Sequence, residues 1–361
     1  MNKVLLHCRP GFEKECAAEI QELAGELNIF GFSRLIKNSG FILFEGYGSE
    51  DGATLMASLH FNDLIFARSW FVVTAELKGM DPADRISAIM AHADTLPKAG
   101  KLWVESGEGD EYRSLLSFCR KFTVPLRQAL RNHGLLTKTE RDNMARIHLF
   151  LTDSGNGYLG YSRSDNGSAH YMGIERLKFP SDAPSRSTLK LDEAFNLFLS
   201  EEEQQQRARS GMKAVDLGAC PGGWTYQLVR RGMFVESIDN GEMADSLMES
   251  GQVKHYAVDG FKHQPIHTNN HWLVCDMVEK PDRVASLMAR WFINGWCHEA
   301  IFNLKLPMKQ RYPMVTECLN QLSEALRAGG VRAQIKAKHL YHDREEITVY
   351  VHRITKQKFD Y

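Results

Sequence analysis

The chain has 361 residues, with 44 Lys and Arg against 45 Asp and Glu, and is 43% hydrophobic and 25% charged. This length predicts two or three domains with a sizeable core, and there is no apolar run long enough to span a membrane. A net charge of −1 excludes a generally basic nucleic-acid binder, so any contact with nucleic acid must be local. Seven scattered cysteines without C-x-x-C pairs predict neither a disulfide framework nor a metal site, and they favour a reduced, cytoplasmic setting.

The first 110 residues or so predict a mixed α+β region. Their β-branched and aromatic runs predict short strands, and one amphipathic stretch near the start predicts a helix. A closing hairpin is predicted further along, with its turn near Gly155. The strands are predicted at 4–8, 41–45, 69–73 and 101–105, the helix at 11–23, and the hairpin at 146–151 and 157–161.

A locally basic stretch follows between Arg113 and Arg146, where eight basic residues face only two acidic ones. Pro125 predicts a helix start, with Thr123 as its cap. A solvated surface explains such a stretch about as well as a binding site does, but the scarcity of compensating acids favours contact with phosphates. Further basic residues occur late in the chain: Lys305, Lys309, Arg311, Arg332, Lys336, Lys338, Arg353, Lys356 and Lys358.

A domain boundary is predicted at 179–184, where two prolines and small polar residues interrupt any regular element. Beyond it, strand and helix patterns alternate, which predicts a mostly parallel sheet with helices on both faces. The last two strand candidates, 331–335 and 346–352, are too close for a helical crossover and should pair antiparallel. The segment 201–206 is interpreted as a polar spacer.

The most informative motif runs from Asp216 to Trp224 and reads D-L-G-A-C-P-G-G-W. It lies between a short apolar strand and a helix start, where backbone N–H groups and a close backbone approach suit a nucleotide-like ligand. It is not the dinucleotide fingerprint, because G-x-G-x-x-G is absent. Three further acids end successive strands, Asp239, Asp259 and Asp276, and the ends of parallel strands form the ligand-binding edge of such a sheet.

Three more segments complete a recognisable pattern: S-R-S-T-L-K-L-D-E at 185–193, N-L-K-L-P at 303–307 and R-E-E-I-T-V at 344–349. Together with the Pro-Gly-Gly-Trp turn, they resemble class I S-adenosylmethionine methyltransferases of the FtsJ/RrmJ type, which methylate ribose 2′-hydroxyls. The resemblance implies a catalytic set of Lys305, Lys190, Asp276 and Glu346, with the adjacent Glu345 as an alternative to Glu346. It also implies a cofactor site for S-adenosylmethionine, formed by Ser187, Asp216, Cys220, Pro221, Gly222, Gly223, Trp224, Asp239, Asp259 and Asp276.

The chemistry explains why such a site needs two lysines. A ribose hydroxyl must lose its proton as it attacks the sulfonium methyl, and a lysine accepts that proton only if its pKa falls from about 10 toward 7. Burial and a second cation both push the pKa down. We therefore expect Lys305 to be the general base and Lys190 to orient it and lower its pKa. Asp276 and Glu346 are expected to hold the two amines in place.

Over nearly its whole length the chain resembles the RlmM family of bacterial 23S rRNA methyltransferases. The resemblance implies a ferredoxin-like part at 1–110, a THUMP-type RNA-binding part at 111–175 and a methyltransferase domain at 176–361. It further implies methylation of the ribose of one cytidine in the peptidyl-transferase region. We expect a monomer whose partner is 23S rRNA, with no membrane and no metal.

Two alternatives stay open at this stage. One is ribose methylation of another RNA, such as tRNA, and the other is a non-catalytic RNA-binding assembly factor with a relic pocket. Four ionisable residues in one set argue against a relic. Base-amine methyltransferases are disfavoured because the segment after Asp276 reads Met-Val-Glu, without the Pro-Pro motif. A cytosine C5 mechanism would need a suitably placed nucleophilic cysteine, and neither Cys220 nor Cys275 fits.

Overall fold

The computed structural model describes residues 1–268 and 270–354. Lys356 and Lys358 of the basic set lie outside these described residues. The chain divides into two compact units, Met1–Glu175 and Arg176–Tyr361. Among the described helices, none is long and apolar enough to cross a membrane.

The first unit is built on one seven-stranded sheet with the strand order β2-β3-β1-β4-β7-β6-β5. All neighbouring pairs are antiparallel except β5 and β6, which are parallel. The strands are β1 (Lys3–His7), β2 (Gly31–Leu35), β3 (Phe41–Gly46), β4 (Ser69–Leu77), β5 (Ala99–Ser106), β6 (Ala145–Leu151) and β7 (Gly157–Ser162). The helices are α1 (Glu13–Glu26), α2 (Asp51–Ser58), α3 (Arg85–Met90) and α4 (Arg113–Asn132).

This sheet contains strands from both predicted parts of the first unit, since β5 pairs along its length with β6. The division into a ferredoxin-like and a THUMP-type part stays a prediction. The predicted hairpin of β6 and β7 is confirmed. The predicted helix start at Pro125 is wrong, because α4 begins at Arg113 and contains Pro125 in its interior. Thr123 does not cap a helix: its hydroxyl donates to the carbonyl of Cys119, one turn earlier.

The second unit contains a second seven-stranded sheet, ordered β10-β9-β8-β11-β12-β14-β13. The first five strands run parallel, whereas β14 is antiparallel to both β12 and β13, as the sequence predicts. The strands are β8 (Lys213–Leu217), β9 (Phe234–Ile238), β10 (Val253–Tyr256), β11 (Asn270–Cys275), β12 (Cys297–Lys305), β13 (Ala333–Lys338) and β14 (Glu346–Arg353). The helices are α5 (Thr188–Phe198), α6 (Glu201–Arg207), α7 (Gly223–Arg230), α8 (Asp245–Met248), α9 (Pro281–Ile293) and α10 (Arg311–Ala328).

Helix α6 corrects the interpretation of 201–206 as a spacer. Ser200 and Glu203 form a capping box at its start, which satisfies backbone donors that a short helix otherwise leaves free. At its end, Arg207 forms a two-pronged ion pair with Glu299 of β12, with N–O distances of 2.7 and 2.8 Å. The polar composition of this segment therefore reflects a surface helix held by its ends.

The core of the second unit fixes the helices that carry the site. Phe195 of α5 packs against Trp272 of β11, with ring centroids 5.0 Å apart, and Trp224 of α7 lies in the same cluster. Burial of such large aromatic side chains contributes roughly 2–3 kcal/mol each. Helices α5 and α7 are thereby held against the sheet, with their first residues beside the carboxyl ends of β8 and β11.

Candidate active site

Two lysines and two carboxylates meet where β11 and β12 end. Antiparallel pairing places Lys305, the last residue of β12, directly opposite Glu346, the first residue of β14. Asp276 immediately follows β11, the parallel neighbour of β12. Lys190 comes from the first turn of α5. The sheet register and one helix thus bring together four residues that are widely separated in sequence.

The four groups form a closed ring of ion pairs. Asp276 accepts from Lys305 Nζ at 2.6 Å through Oδ1 and from Lys190 Nζ at 3.2 Å through Oδ2. Glu346 pairs with the same two lysines, one through each carboxylate oxygen. The side chains of Lys305, Lys190, Asp276 and Glu346 are 23%, 16%, 15% and 6% exposed, so the charges are sheltered but reachable from solvent. Two positive and two negative charges leave the cluster neutral.

The charge state of Lys305 differs from the expectation. Burial disfavours its charged form, but the carboxylates of Asp276 and Glu346 outweigh burial and raise the pKa of Lys305 above its ordinary value. The expected lowering of the pKa is therefore wrong for this arrangement. The two carboxylates in direct contact with Lys305 Nζ stabilise the ammonium form more than burial and the like charge of Lys190 destabilise it. Lys305 is protonated at neutral pH here.

The structure also distinguishes the two adjacent glutamates. Glu346 is 4% exposed and points into the cluster. The side chain of Glu345 is 61% exposed and pairs with Arg311 at the start of α10. Alternation along an extended segment puts neighbouring side chains on opposite faces, so only one of the two glutamates can face the lysines.

The glycine-rich turn between β8 and α7 is held by close contacts that require glycine. Gly222 has φ +116°, and a Cβ there would collide with Leu247. A Cβ on Gly223 would collide with the hydroxyls of Ser185 and Ser187. Ser187, just before α5, therefore lies against the turn, as the resemblance implies. The Pro221 carbonyl accepts a hydrogen bond from Ala244 N at 3.0 Å, which fixes the outer side of the turn.

Asp216 lies at the carboxyl end of β8 beneath this turn and is 1% exposed. One carboxylate oxygen accepts from the Thr225 hydroxyl at 2.6 Å. The other oxygen, Oδ1, is buried and has no hydrogen-bond partner among the described residues. Burial raises the pKa of Asp216 to about 7, and the nearby Asp276 and Asp239 act in the same direction. A buried carboxyl with a free acceptor is a strong attractor for a cationic or hydrogen-bond-donating ligand.

The other acids at strand ends differ in how they are held. Asp239 accepts from Cys220 N at 3.0 Å and from Gly241 N at 2.9 Å, which fixes its carboxylate beside the turn. Asp259 is exposed and accepts from Phe261 N at 2.9 Å. Asp259 thus lies at the rim, and no hydrogen bond joins it to the other predicted residues. Trp224 is 2% exposed within the core cluster, so its main contacts are structural.

The cysteines near the site are poor nucleophiles. Burial, reinforced by nearby carboxylates, raises the pKa of Cys220 to about 11 and that of Cys275 to about 12. A thiol with such a pKa is almost entirely protonated at neutral pH, and the thiolate is the reactive form. The arrangement therefore disfavours a covalent cysteine mechanism, in agreement with the sequence-based exclusion.

Three residues behind the cluster escaped the sequence analysis as site residues. Asn303 Nδ2 donates to Asp276 Oδ1 at 2.9 Å, and Thr348 Oγ1 lies 2.8 Å from Asn303 Oδ1. Thr348 also contacts both carboxyl oxygens of the buried Asp343. Strand alternation offered a signal, because Asn303 is two residues before Lys305 and Thr348 is two after Glu346, on the same face. Asp343 lies in the turn before β14, where the pattern gives no such signal.

Comparisons with known proteins identify the family of the chain. Residues 183–360 match a family described as FtsJ-like methyltransferase, residues 1–71 the RlmM ferredoxin-like domain, and residues 84–163 the N-terminal region of ribosomal RNA large subunit methyltransferase M. The chain is 58% identical to Ribosomal RNA large subunit methyltransferase M of Photorhabdus laumondii, over 98% of this chain and 97% of that one. It is 56% identical to the protein of the same name from Yersinia enterocolitica, over 98% and 96%. Among solved structures, TrmN from Thermus thermophilus is similar at 12% identity and a TM-score of 0.35, over 98% of this chain and 100% of that chain.

The match of residues 183–360 to the FtsJ-like methyltransferase family, together with the mostly parallel sheet of the second unit, identifies a class I methyltransferase of the FtsJ-like type. The identity over nearly the full length of both chains narrows the assignment. The chain belongs to the ribosomal RNA large subunit methyltransferase M family. The family predicted from the sequence is thereby confirmed.

Proposed function

We propose that this protein transfers a methyl group from S-adenosylmethionine to the ribose 2′-hydroxyl of one cytidine in 23S rRNA. The observation that carries the proposal is the ring of Lys190, Lys305, Asp276 and Glu346 at the carboxyl edge of the sheet. A general base for a ribose hydroxyl must be held in place next to the ligand-binding edge, and a lysine amine is one group that can serve. This cluster provides two such amines beside the glycine-rich turn.

The residues around the turn suit the cofactor. When bound, S-adenosylmethionine supplies a methyl group on a positively charged sulfur, next to an α-ammonium group and an adenosine. The free oxygen of Asp216, with its raised pKa, suits a cationic partner that would favour the ionised carboxylate. Asp239 is fixed by two backbone N–H groups and keeps further acceptor capacity for ribose hydroxyls. Gly222 and Gly223 leave the space that a close backbone approach needs.

Lys305 is the proposed proton acceptor, and the charges around it determine how much of its amine is neutral and able to accept a proton. Asp276 and Glu346 stabilise the ammonium form and thereby reduce the fraction of neutral amine at pH 7. The proton must leave Lys305 before the hydroxyl can donate to it. Lys190 pairs with the same two carboxylates, so its ammonium group reduces the extent to which they stabilise the ammonium form of Lys305. Its positive charge also disfavours a second positive charge on Lys305. Asp276 and Glu346 orient the two amines.

The substrate class follows from the family and from the first unit. Several exposed basic residues lie along α4, including Arg120 and Lys121, for which no ion pair is found among the described residues. Such cations favour phosphate contacts that are independent of sequence. We place RNA binding in this unit, through phosphates and shape, while the methyltransferase unit takes an unpaired nucleotide. The proposal includes action as a monomer in the bacterial cytoplasm.

The test uses purified protein, labelled S-adenosylmethionine and 23S rRNA from cells that lack the modification. The RNA is digested to nucleosides, and the labelled nucleoside is identified. We expect labelled 2′-O-methylcytidine. A base-methylated nucleoside would contradict the assigned reaction, and label in tRNA but not in 23S rRNA would contradict the assigned substrate. Cofactor binding, measured separately by calorimetry, controls for an inactive preparation.

A further inference from the structure

A line of hydrogen bonds extends from the cluster into the protein interior. Asp276 Oδ1 accepts from both Lys305 Nζ and Asn303 Nδ2. Asn303 Oδ1 faces Thr348 Oγ1 at 2.8 Å, and Thr348 Oγ1 faces the carboxyl oxygens of Asp343 at 3.1 and 2.9 Å. Asn303, Thr348 and Asp343 are all fully buried. Their hydrogen bonds must therefore be satisfied by one another and by neighbouring groups, here Asp276 and Leu340 N.

Asn303 fixes the direction of this line. An amide nitrogen only donates and an amide oxygen only accepts, and an ionised carboxylate only accepts. The amide nitrogen must therefore face Asp276, as it does at 2.9 Å, and the amide oxygen must face Thr348. Thr348 has a single hydroxyl proton. It must donate that proton to Asn303, because otherwise two acceptors would meet at 2.8 Å.

The consequence reaches Asp343. With its proton committed to Asn303, Thr348 Oγ1 can only accept from Asp343. Asp343 Oδ2 already accepts from Leu340 N at 2.9 Å, which leaves Oδ1 to carry a proton and donate it. Burial, together with the nearby charges of Glu346 and Glu193, raises the pKa of Asp343 well above its ordinary value, and the more weakly felt Lys190 does not reverse this. Geometry and electrostatics thus both indicate a neutral carboxylic acid.

We propose that Asp343, Thr348 and Asn303 are positioning residues that form a one-directional donor relay, from a protonated Asp343 to Asp276, behind the proposed proton acceptor Lys305. The relay keeps the Asn303 amide from flipping and so keeps a donor on Asp276 Oδ1. That donor competes with Lys305 for the same carboxylate oxygen and weakens the hold of Asp276 on the ammonium form. A neutral Asp343 also avoids a third negative charge near Glu346. This inference rests on the proposed function.

Three variants separate the relay from packing. Thr348→Val keeps the shape but removes the hydroxyl and leaves the buried Asn303 amide oxygen and Asp343 without their partner, so we expect kcat to fall about 10- to 100-fold. The KM for 23S rRNA and the affinity for S-adenosylmethionine should stay unchanged. Thr348→Ser restores the hydroxyl and should retain kcat within about threefold. Asp343→Asn keeps a neutral donor and an acceptor, and should also stay within about threefold.

The Asp343→Asn variant gives the sharpest outcome. If Asp343 were ionised, both of its oxygens would accept hydrogen bonds, and an amide with only one acceptor oxygen could not replace it without loss of activity. A drop in kcat for Asp343→Asn as large as that for Thr348→Val would therefore overturn the relay. So would a Thr348→Val enzyme that is less stable but has wild-type kcat, since the threonine would then be merely structural. If Thr348→Val fails to fold, the comparison of Asp343→Asn with the wild type decides alone.

An infrared difference spectrum supplies a readout that needs no turnover. The wild type minus Asp343→Asn should show the carbonyl stretch of a protonated carboxylic acid at neutral pH, and a carboxylate band in its place would overturn the proposal. Failure of the proposed function looks different. In that case the wild type would not methylate 23S rRNA, while the infrared band would still report the proton on Asp343.

Discussion

Replacing Lys305 by methionine tests the central assignment. Methionine preserves the unbranched side chain but removes the ammonium that pairs with Asp276 at 2.6 Å and with Glu346. The cluster then has two carboxylates and one lysine, with a net charge of −1. Breaking a buried ion pair from one side costs about 3–5 kcal/mol, whereas an exposed pair contributes about 1 kcal/mol or less. Because Lys305 is 23% exposed, we expect a loss of about 2–3 kcal/mol of unfolding free energy.

Loss of the proton acceptor should reduce kcat by about a hundred- to ten-thousand-fold, the usual contribution of general acid–base catalysis. Lys305→Arg is the matched variant, because arginine keeps the charge but does not accept a proton at neutral pH. It should therefore preserve more stability than Lys305→Met yet be nearly as inactive. Lys213→Met, an exposed position at the opposite end of the sheet, should change neither property.

The assays are methyl transfer to unmodified 23S rRNA at saturating cofactor and equilibrium unfolding in urea. The raised pKa of Lys305 adds a pH signature, since only the neutral amine acts as a base. The wild-type kcat should rise about tenfold per pH unit between about pH 6 and pH 9 without a plateau near neutrality. An arginine variant with near-wild-type kcat would refute Lys305 as the base and leave it an electrostatic role. A plateau of kcat near pH 7 would show that proton transfer to Lys305 is not the rate-limiting step.

Three further predictions concern other buried carboxyls. Because the pKa of Asp216 is raised to about 7, the stability that its protonated form contributes should be lost as pH rises through about 7. Calorimetry should show tighter S-adenosylmethionine binding over the same pH range. Asp216→Asn should remove both pH dependences. Glu346→Gln should lower kcat at least about tenfold, whereas the outward-facing Glu345→Gln should leave it unchanged, and equal losses would contradict the assignment. Glu105 in the first unit is fully buried, but the imidazoles of His148 at 2.7 Å and His7 at 3.7 Å outweigh burial and lower the pKa of Glu105, so its stabilisation should be present above about pH 4.5 and lost as pH falls. Glu105→Gln should cost about 3 kcal/mol in urea unfolding at neutral pH, and no change would show that the pair is dispensable.

The sequence by itself determined the features that local chemistry encodes. The glycine-rich turn and the acids at strand ends were readable because they depend on residue type and short spacing. The two lysine-bearing segments were identified by their resemblance to the motifs of a known family. The antiparallel pairing of the last two strands was also predictable, since they are too close for a crossover. The polar helix α6 was missed because it has no apolar periodicity, and its capping box alone did not distinguish it from a polar spacer.

Only the tertiary structure decided which groups share protons and charge. The register of β12 against β14 selects Glu346 over Glu345 and aligns Asn303 with Thr348, neither of which follows from composition. The same packing places two carboxylates against Lys305 and raises its pKa, reversing the expectation drawn from burial and a second cation. Charge states in a buried site depend on distances of a few ångströms between residues far apart in the chain, and those distances are a property of the fold.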